Sequence, residues 1–231
     1  MTQNDITPIK DNLAKINLQI LNACNKADRS ISQVTLLAVS KTKTSAMIEQ
    51  AYLAGQREFG ESYIQEAVEK IAHLQKLSDL VWHFIGPIQS NKTRLIAENF
   101  AWVHSIDRIK VAKRLNDHRS SQDTPLNVCL QVNISGEESK SGIAAENLEE
   151  LVEFVNSCEH LTLRGLMAIP EKNASLNSFE KMQQLFIVLK QKHISIDTLS
   201  MGMSGDLTAA IAKGSSMVRV GSAIFGVRED K

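Results

Sequence analysis

The stretch TLLAVSKTKTS, residues 35–45, places two amines directly after an apolar run. Leu36, Leu37, Ala38 and Val39 read as a buried strand, and Lys41 and Lys43 arrive where that strand should end. Apolar surroundings desolvate an amine and favour its neutral form. A neutral lysine amine condenses with aldehydes, so imine formation is the chemistry open to this position. Two later stretches carry complementary groups. SMGMSGDLTAAI, residues 200–211, offers Gly202 and Gly205 for close backbone approach, the Ser204 hydroxyl, and Asp206 as N-cap of a following helix. RVGSAIFG, residues 219–226, opens a short helix with Gly221 and Ser222. Backbone N–H groups flanked by hydroxyls make an anion site, here without an obligatory lysine. Arg219 sits between Val218 and Val220. A charge there is costly unless paired, so it reads either as half of a buried ion pair or as a guanidinium turned towards a ligand.

Other reactive residue types give weaker signals. Cys24, Cys129 and Cys158 are odd in number and widely spaced, without a CxxC pair, and read as reduced, mostly buried thiols. His83 and His104 fall inside strand patterns with no HxH or HExxH context, and read as satisfied core histidines. No metal site is expected.

These groups must be positioned by the rest of the chain. Apolar or β-branched runs occur at 35–40, 58–60, 82–86, 102–106, 128–133, 161–169, 198–201 and 217–221. Helical patterns occupy 46–54, 64–77, 92–98, 109–118, 148–156, 179–190 and 207–212, with a short last helix at Ala223. A further amphipathic helix, from Ile9 to about Cys24, precedes the first strand and places Leu13, Ile16, Leu18 and Leu21 near a helical repeat. Strand then helix, eight times over, predicts a single (β/α)8 TIM barrel with an extra N-terminal helix. A doubly wound open sheet is the alternative. No Ser/Gly/Pro-rich linker divides the 231 residues, so 1–231 is read as one domain.

In such a barrel the chemistry lies at the C-terminal ends of the strands, and phosphate is commonly held by the loops after strands seven and eight. The two glycine–serine stretches fall at those positions. Lys41, at the end of strand one, is expected to face them across the mouth. An amine, an anion site and an arginine together fit pyridoxal 5′-phosphate held as an imine. A sugar-phosphate aldolase with a Schiff-base lysine fits the same spacing.

The blocks LLAVSKTKT, REFGESYIQEAVEK, WHFIGPIQSNKTR, VNISGEESKSGI, LRGLMAIP and SMGMSGDLTAAIAKGSSMVRVGSAIFG resemble the pyridoxal phosphate homeostasis protein family, single-domain relatives of the alanine racemase barrel. They run from about Leu36 to Gly226. The resemblance implies that Lys41 is the imine lysine. It implies that Ser204, Gly221 and Ser222, with backbone around Met203, hold the phosphate, and that Arg219 lies by the pyridine nitrogen. Lys140, in SKSG, matches a family lysine implicated in handling the cofactor. Ser62 stands where the family motif generally reads Gly-Glu-Asn, and Gly205 stands where an acid is frequent.

Whether such a site would catalyse is a separate question. A carboxylate on the pyridine nitrogen strengthens the cofactor as an electron sink, and an arginine does the reverse. Racemisation also needs a second acid/base on the far face of the substrate. In the alanine racemase relatives it is a tyrosine from an additional C-terminal domain, whereas this sequence ends at Lys231, soon after the eighth unit, and carries only Tyr52 and Tyr63. The expectation is a non-catalytic binder that buffers and delivers pyridoxal phosphate, apo forms of pyridoxal-phosphate enzymes being the recipients. A small racemase-like enzyme using Lys41 and Tyr63 is the alternative, and a cofactor-free aldolase a third reading. Lys43 and Lys140 are candidates for a transient second imine during transfer. Zero formal net charge favours neither nucleic acid nor a membrane surface as partner. No signal-peptide or membrane-span pattern is present, which leads to the expectation of a cytoplasmic protein, and an isolated barrel without the partner domain leads to the expectation of a monomer.

Overall fold

The computed structural model describes residues 7–135, 141–169 and 176–227. Helix α1 (Thr7–Lys26) leads into β1 (Thr35–Val39), α2 (Ser45–Leu53), β2 (Glu58–Glu61), α3 (Ile64–His73) and β3 (Val81–Phe84). Then come α4 (Thr93–Asn99), β4 (Trp102–Ile106), α5 (Ile109–Arg119), β5 (Leu126–Gln131) and α6 (Leu148–Asn156). The chain continues through β6 (Leu161–Met167), α7 (Leu176–Lys192), β7 (Thr198–Ser200), α8 (Leu207–Ala212), β8 (Met217–Val220) and α9 (Ser222–Phe225). The strands are parallel and close into a barrel in chain order. Closure is made by β8 against β1, with Thr35 beside Met217 and Leu37 beside Arg219. That pairing excludes the open sheet.

The strands read as nearly continuous apolar runs because both of their faces are covered. Successive side chains alternate between the barrel interior and the helix layer. On the helix side Phe59, Phe84, Val103, Val128, Leu166, Leu199 and Val220 are buried. The interior alternation carries Glu58, His83, His104, Ser200 and Arg219, so the barrel axis is unusually polar. Cys24 and Cys129 are buried, Cys158 is half-buried, and all three are free thiols.

Helix α1 departs from the expected stripe. Its buried face is Ile9, Leu13, Ile16, Ile20, Ala23 and Cys24, whereas Leu18 and Leu21 are exposed. That face packs on α8, α9 and α2, and Asn12 Nδ2 donates to the Ile224 carbonyl at 3.0 Å. The extra helix therefore anchors the short helix that follows β8.

Candidate functional site

A cavity of about 400 Å³ opens at the C-terminal mouth of the barrel, within the size range of small-molecule sites. Lys41, Lys43 and Arg219 line it together with Ser204, Gly205, Gly221 and Ser222. Val39, Ile85, Ile169 and Met203 supply apolar wall. No acidic residue is among its described lining residues, so three cations face one small space without a counter-charge on its walls.

Lys41 is half-buried and makes no hydrogen bond or ion pair with any described residue. The turn that carries it is held from behind. Thr42 adopts φ 64°, an uncommon conformation for a β-branched residue. Its N–H donates to Glu66 Oε1 at 2.6 Å, which offsets the strain. Lys70 Nζ, also on α3, bonds Glu66 Oε1 at 2.5 Å, Glu61 Oε1 at 2.8 Å and the Ser40 carbonyl at 2.8 Å. Ser40 Oγ donates to Glu61 Oε1 at 2.6 Å. Glu61 is fully buried, and its Oε2 has no hydrogen-bond partner among the described residues. Burial pushes the Glu61 carboxyl up, an effect that Lys70 and then Ser40 oppose. Glu61, Glu66 and Lys70 thus clamp the backbone on either side of Lys41. The i,i+4 spacing of Glu66 and Lys70 in REFGESYIQEAVEK is the one sequence signal for this clamp.

Another wall of the cavity is built from the loops after β7 and β8. The N–H groups of Ser204 and Gly205 have no acceptor among the described residues. Gly205 has open space where a Cβ would stand. Gly202 has another role than the one expected. Its φ is +95°, a Cβ there would lie 2.5 Å from Ala210 Cβ, and the residue is buried outside the cavity lining. It lets the loop turn tightly against α8. Asp206 occupies the N-cap position of α8, but its side chain does not cap the helix. Oδ1 instead accepts from the Met203 N–H at 2.5 Å, which closes the loop and engages that amide.

Arg219 is buried, yet it lines the cavity and has no ion-pair partner among the described residues. Its Nη1 donates to the Ser200 carbonyl at 2.7 Å and to Ser200 Oγ at 2.8 Å, and Nη2 donates to the Ala168 carbonyl at 2.8 Å. Three of the five guanidinium N–H groups are thereby used, leaving Nε–H and one Nη2–H. Burial pushes the guanidinium down to about 10, so it stays charged at neutral pH.

The structure brings together Lys41, Lys43, Met203, Ser204, Arg219, Gly221 and Ser222, and Ser62 joins them in the lining. One spatial expectation is corrected. Because β8 pairs with β1, Lys41 flanks the loop after β8 and does not face it across the mouth. Lys43 Nζ donates to the Val227 carbonyl at 2.9 Å. Lys140 lies outside the described residues. Tyr52 is bonded to Asp79 on the helix layer, and Tyr63 is exposed and absent from the cavity lining. Among the described residues no cluster of His, Cys, Asp or Glu could hold a metal ion, and no helix is long and apolar enough to cross a membrane.

A closed parallel barrel with an amine after β1 and glycine–serine loops after β7 and β8 defines one class of domain. Residues 12–229 match the family model for the alanine racemase N-terminal domain. The chain is 52% identical over 227 residues to the pyridoxal phosphate homeostasis protein of Escherichia coli (strain K12), covering 96% of this chain and 97% of that one. Its identity to the protein of the same name from Pseudomonas aeruginosa is 52% over 228 residues, with 97% of each covered. Among solved structures it resembles PipY of Synechococcus elongatus PCC7942 with PLP bound, at TM-score 0.81 and 33% identity, covering 94% of this chain and 100% of that one. The chain belongs to the pyridoxal phosphate homeostasis protein family.

Proposed function

We propose that this chain binds pyridoxal 5′-phosphate at the barrel mouth, with Lys41 holding it as an imine, and that it buffers and delivers the cofactor without catalysis of its own. One observation carries the reading. An unpaired lysine amine, a buried arginine and two hydroxyl-bearing glycine loops line one cavity whose described walls hold no acid. When bound, the group supplies an aldehyde and an electron-withdrawing ring. The chain's own residues divide the work. Lys41 provides the amine; the Ser204 and Ser222 hydroxyls, with the free N–H groups of Ser204 and Gly205, receive the phosphate. Ile85 and Met203 would supply apolar wall to the ring, and Arg219 would be the donor available to its nitrogen. A guanidinium partner leaves that nitrogen unprotonated and weakens the electron sink, which supports a carrier. The position of Tyr63 outside the lining supports the same reading. Lys43, which lines the same cavity, and Lys140, on the resemblance alone, are the candidates for accepting the aldehyde during delivery to apo-enzymes.

The test is a visible absorbance spectrum of the purified protein before and after borohydride, with mass mapping of the reduced adduct. A yellow protein whose adduct maps to Lys41 supports the cofactor assignment. A protein left colourless and unmodified by added pyridoxal phosphate refutes it. Sustained racemisation of a common amino acid by that pure protein would refute the carrier role alone.

A further inference from the structure

Beneath the mouth, five side chains cross the barrel interior in unbroken hydrogen-bond contact. Arg219 Nη1 donates to Ser200 Oγ at 2.8 Å, and Ser200 Oγ meets His104 Nδ1 at 2.9 Å. His104 Nε2 meets His83 Nδ1 at 2.9 Å, and His83 Nε2 meets Glu58 Oε2 at 2.5 Å. Arg219, Ser200, His104 and His83 are buried, while the Glu58 side chain is 30% exposed. Arg219 lines the mouth cavity, and Glu58 and His83 line a second cavity of about 710 Å³ at the opposite end. Barrel interiors are ordinarily filled by layers of branched apolar side chains. A polar column there carries a desolvation cost that each member must recover by bonding to the next.

The direction of donation is forced. A carboxylate at Glu58 only accepts, so His83 carries its proton on Nε2. Burial holds both imidazoles neutral, which leaves His83 Nδ1 as an acceptor and requires a proton on His104 Nε2. His104 Nδ1 then accepts from the Ser200 hydroxyl, whose oxygen lone pair accepts the hydrogen bond from Arg219 Nη1–H. Donation runs one way, from the guanidinium to the carboxylate.

We propose that Ser200, His104, His83 and Glu58 are positioning residues for Arg219: a one-way hydrogen-bond chain that fixes which guanidinium N–H groups remain for the ligand and couples the basal end of the barrel to the ring end of the ligand site. This rests on the reading of the mouth as a pyridoxal phosphate site.

Two measurements test it on the full chain. Nitrogen-15 NMR of labelled histidines should find His83 and His104 both neutral, protonated on Nε2. An imidazolium or an Nδ1–H tautomer at either overturns the chain, whether or not any cofactor binds. In protein loaded with pyridoxal phosphate, Glu58→Ala should move the absorbance maximum of the bound cofactor and raise its Kd by about threefold to tenfold. Glu58→Gln, whose amide oxygen still accepts from His83, should restore both. Ser200→Ala cuts the chain beside Arg219 and should give the larger shift. A folded Glu58→Ala or Ser200→Ala protein with the wild-type spectrum and affinity overturns the proposal. Wild-type protein that takes up no pyridoxal phosphate refutes the reading of the mouth instead, and the tautomers still decide the chain.

Discussion

At the mouth of the barrel Lys41 has no polar partner among the described residues, whereas at the base both arginines are engaged and Lys190, the third cation of that lining, lies 5.9 Å from the Phe186 ring centroid. Arg164 bonds Asp197 and, through Nη1, Asn127 Oδ1 at 2.8 Å, and its guanidinium lies 4.6 Å from the Trp102 ring centroid. Arg29 donates to the Ile211 and Ser215 carbonyls at 2.8 and 2.7 Å. Of the two acids lining that end, Asp197 is held by Arg164 and Glu58 is bonded to His83. Both ends are polar and concave, and the basal cavity is the larger. Size is therefore the wrong guide. A cation already bonded has spent its donors on the fold, while one left free in a pocket with no acid on its described walls is available to an anionic ligand. The contrast matches the division of labour in this architecture, with chemistry at the C-terminal ends of strands and stability at the N-terminal ends.

The comparison can be broken most directly at Lys41. Lys41→Ala should abolish the borohydride-trapped adduct while leaving the thermal midpoint unchanged; a surviving adduct would move the imine to another lysine. Lys70→Ala should affect both fold and site. It strands the buried Glu61 carboxylate, a loss of about 3 kcal/mol in chemical denaturation, and it loosens the turn that carries Lys41. Unchanged stability would mean that Glu61 is neutral in the folded protein.

Protonation of the histidine pair sharpens the contrast from inside the barrel. Burial lowers the His83 and His104 values in the folded protein. The unfolded chain therefore takes up protons that the folded one refuses as pH falls below the ordinary value of about 6.5. Stability should fall on that side by up to about 1.4 kcal/mol per pH unit for each histidine. Denaturation curves from pH 7 to 5 test this, and a flat profile would contradict neutral buried imidazoles. At the base, Arg164→Ala should cost about 1 kcal/mol, since Asp197 is half-exposed, and should leave cofactor affinity alone. Weaker binding in that variant would blur the two ends. The smallest effect is expected at Gly205→Asp, within about 0.5 kcal/mol of wild-type stability because nothing occupies the space beside it.

Much of the fold was legible from pattern. The strands at 102–106 and the helices at 148–156 and 207–212 fall where hydrophobic periodicity puts them, because local burial on two covered faces dictates local composition. Where the pattern misled, the cause was tertiary. Leu18 and Leu21 keep a helical spacing yet face solvent, since α8 and α9 meet the other side of α1. The residues gathered at the mouth were named in advance because their positions follow strand ends. The clamp of Glu61, Glu66 and Lys70 was not, because its partners come from β2 and α3 and meet only when α3 packs beneath the loop.

By itself the sequence determined the alternation of strand and helix, the amine at the end of β1 and the glycine–serine loops after β7 and β8. Those are local properties, set by side-chain chemistry and a period of two or 3.6 residues. Only the tertiary structure decided that β8 closes on β1 and sets Lys41 beside the glycine–serine loop after β8. It alone decided that His83 and His104, 21 residues apart in the chain, become adjacent links between Glu58 and Arg219. Closure of a barrel brings distant residues within hydrogen-bond reach, and no local pattern encodes which of them will meet.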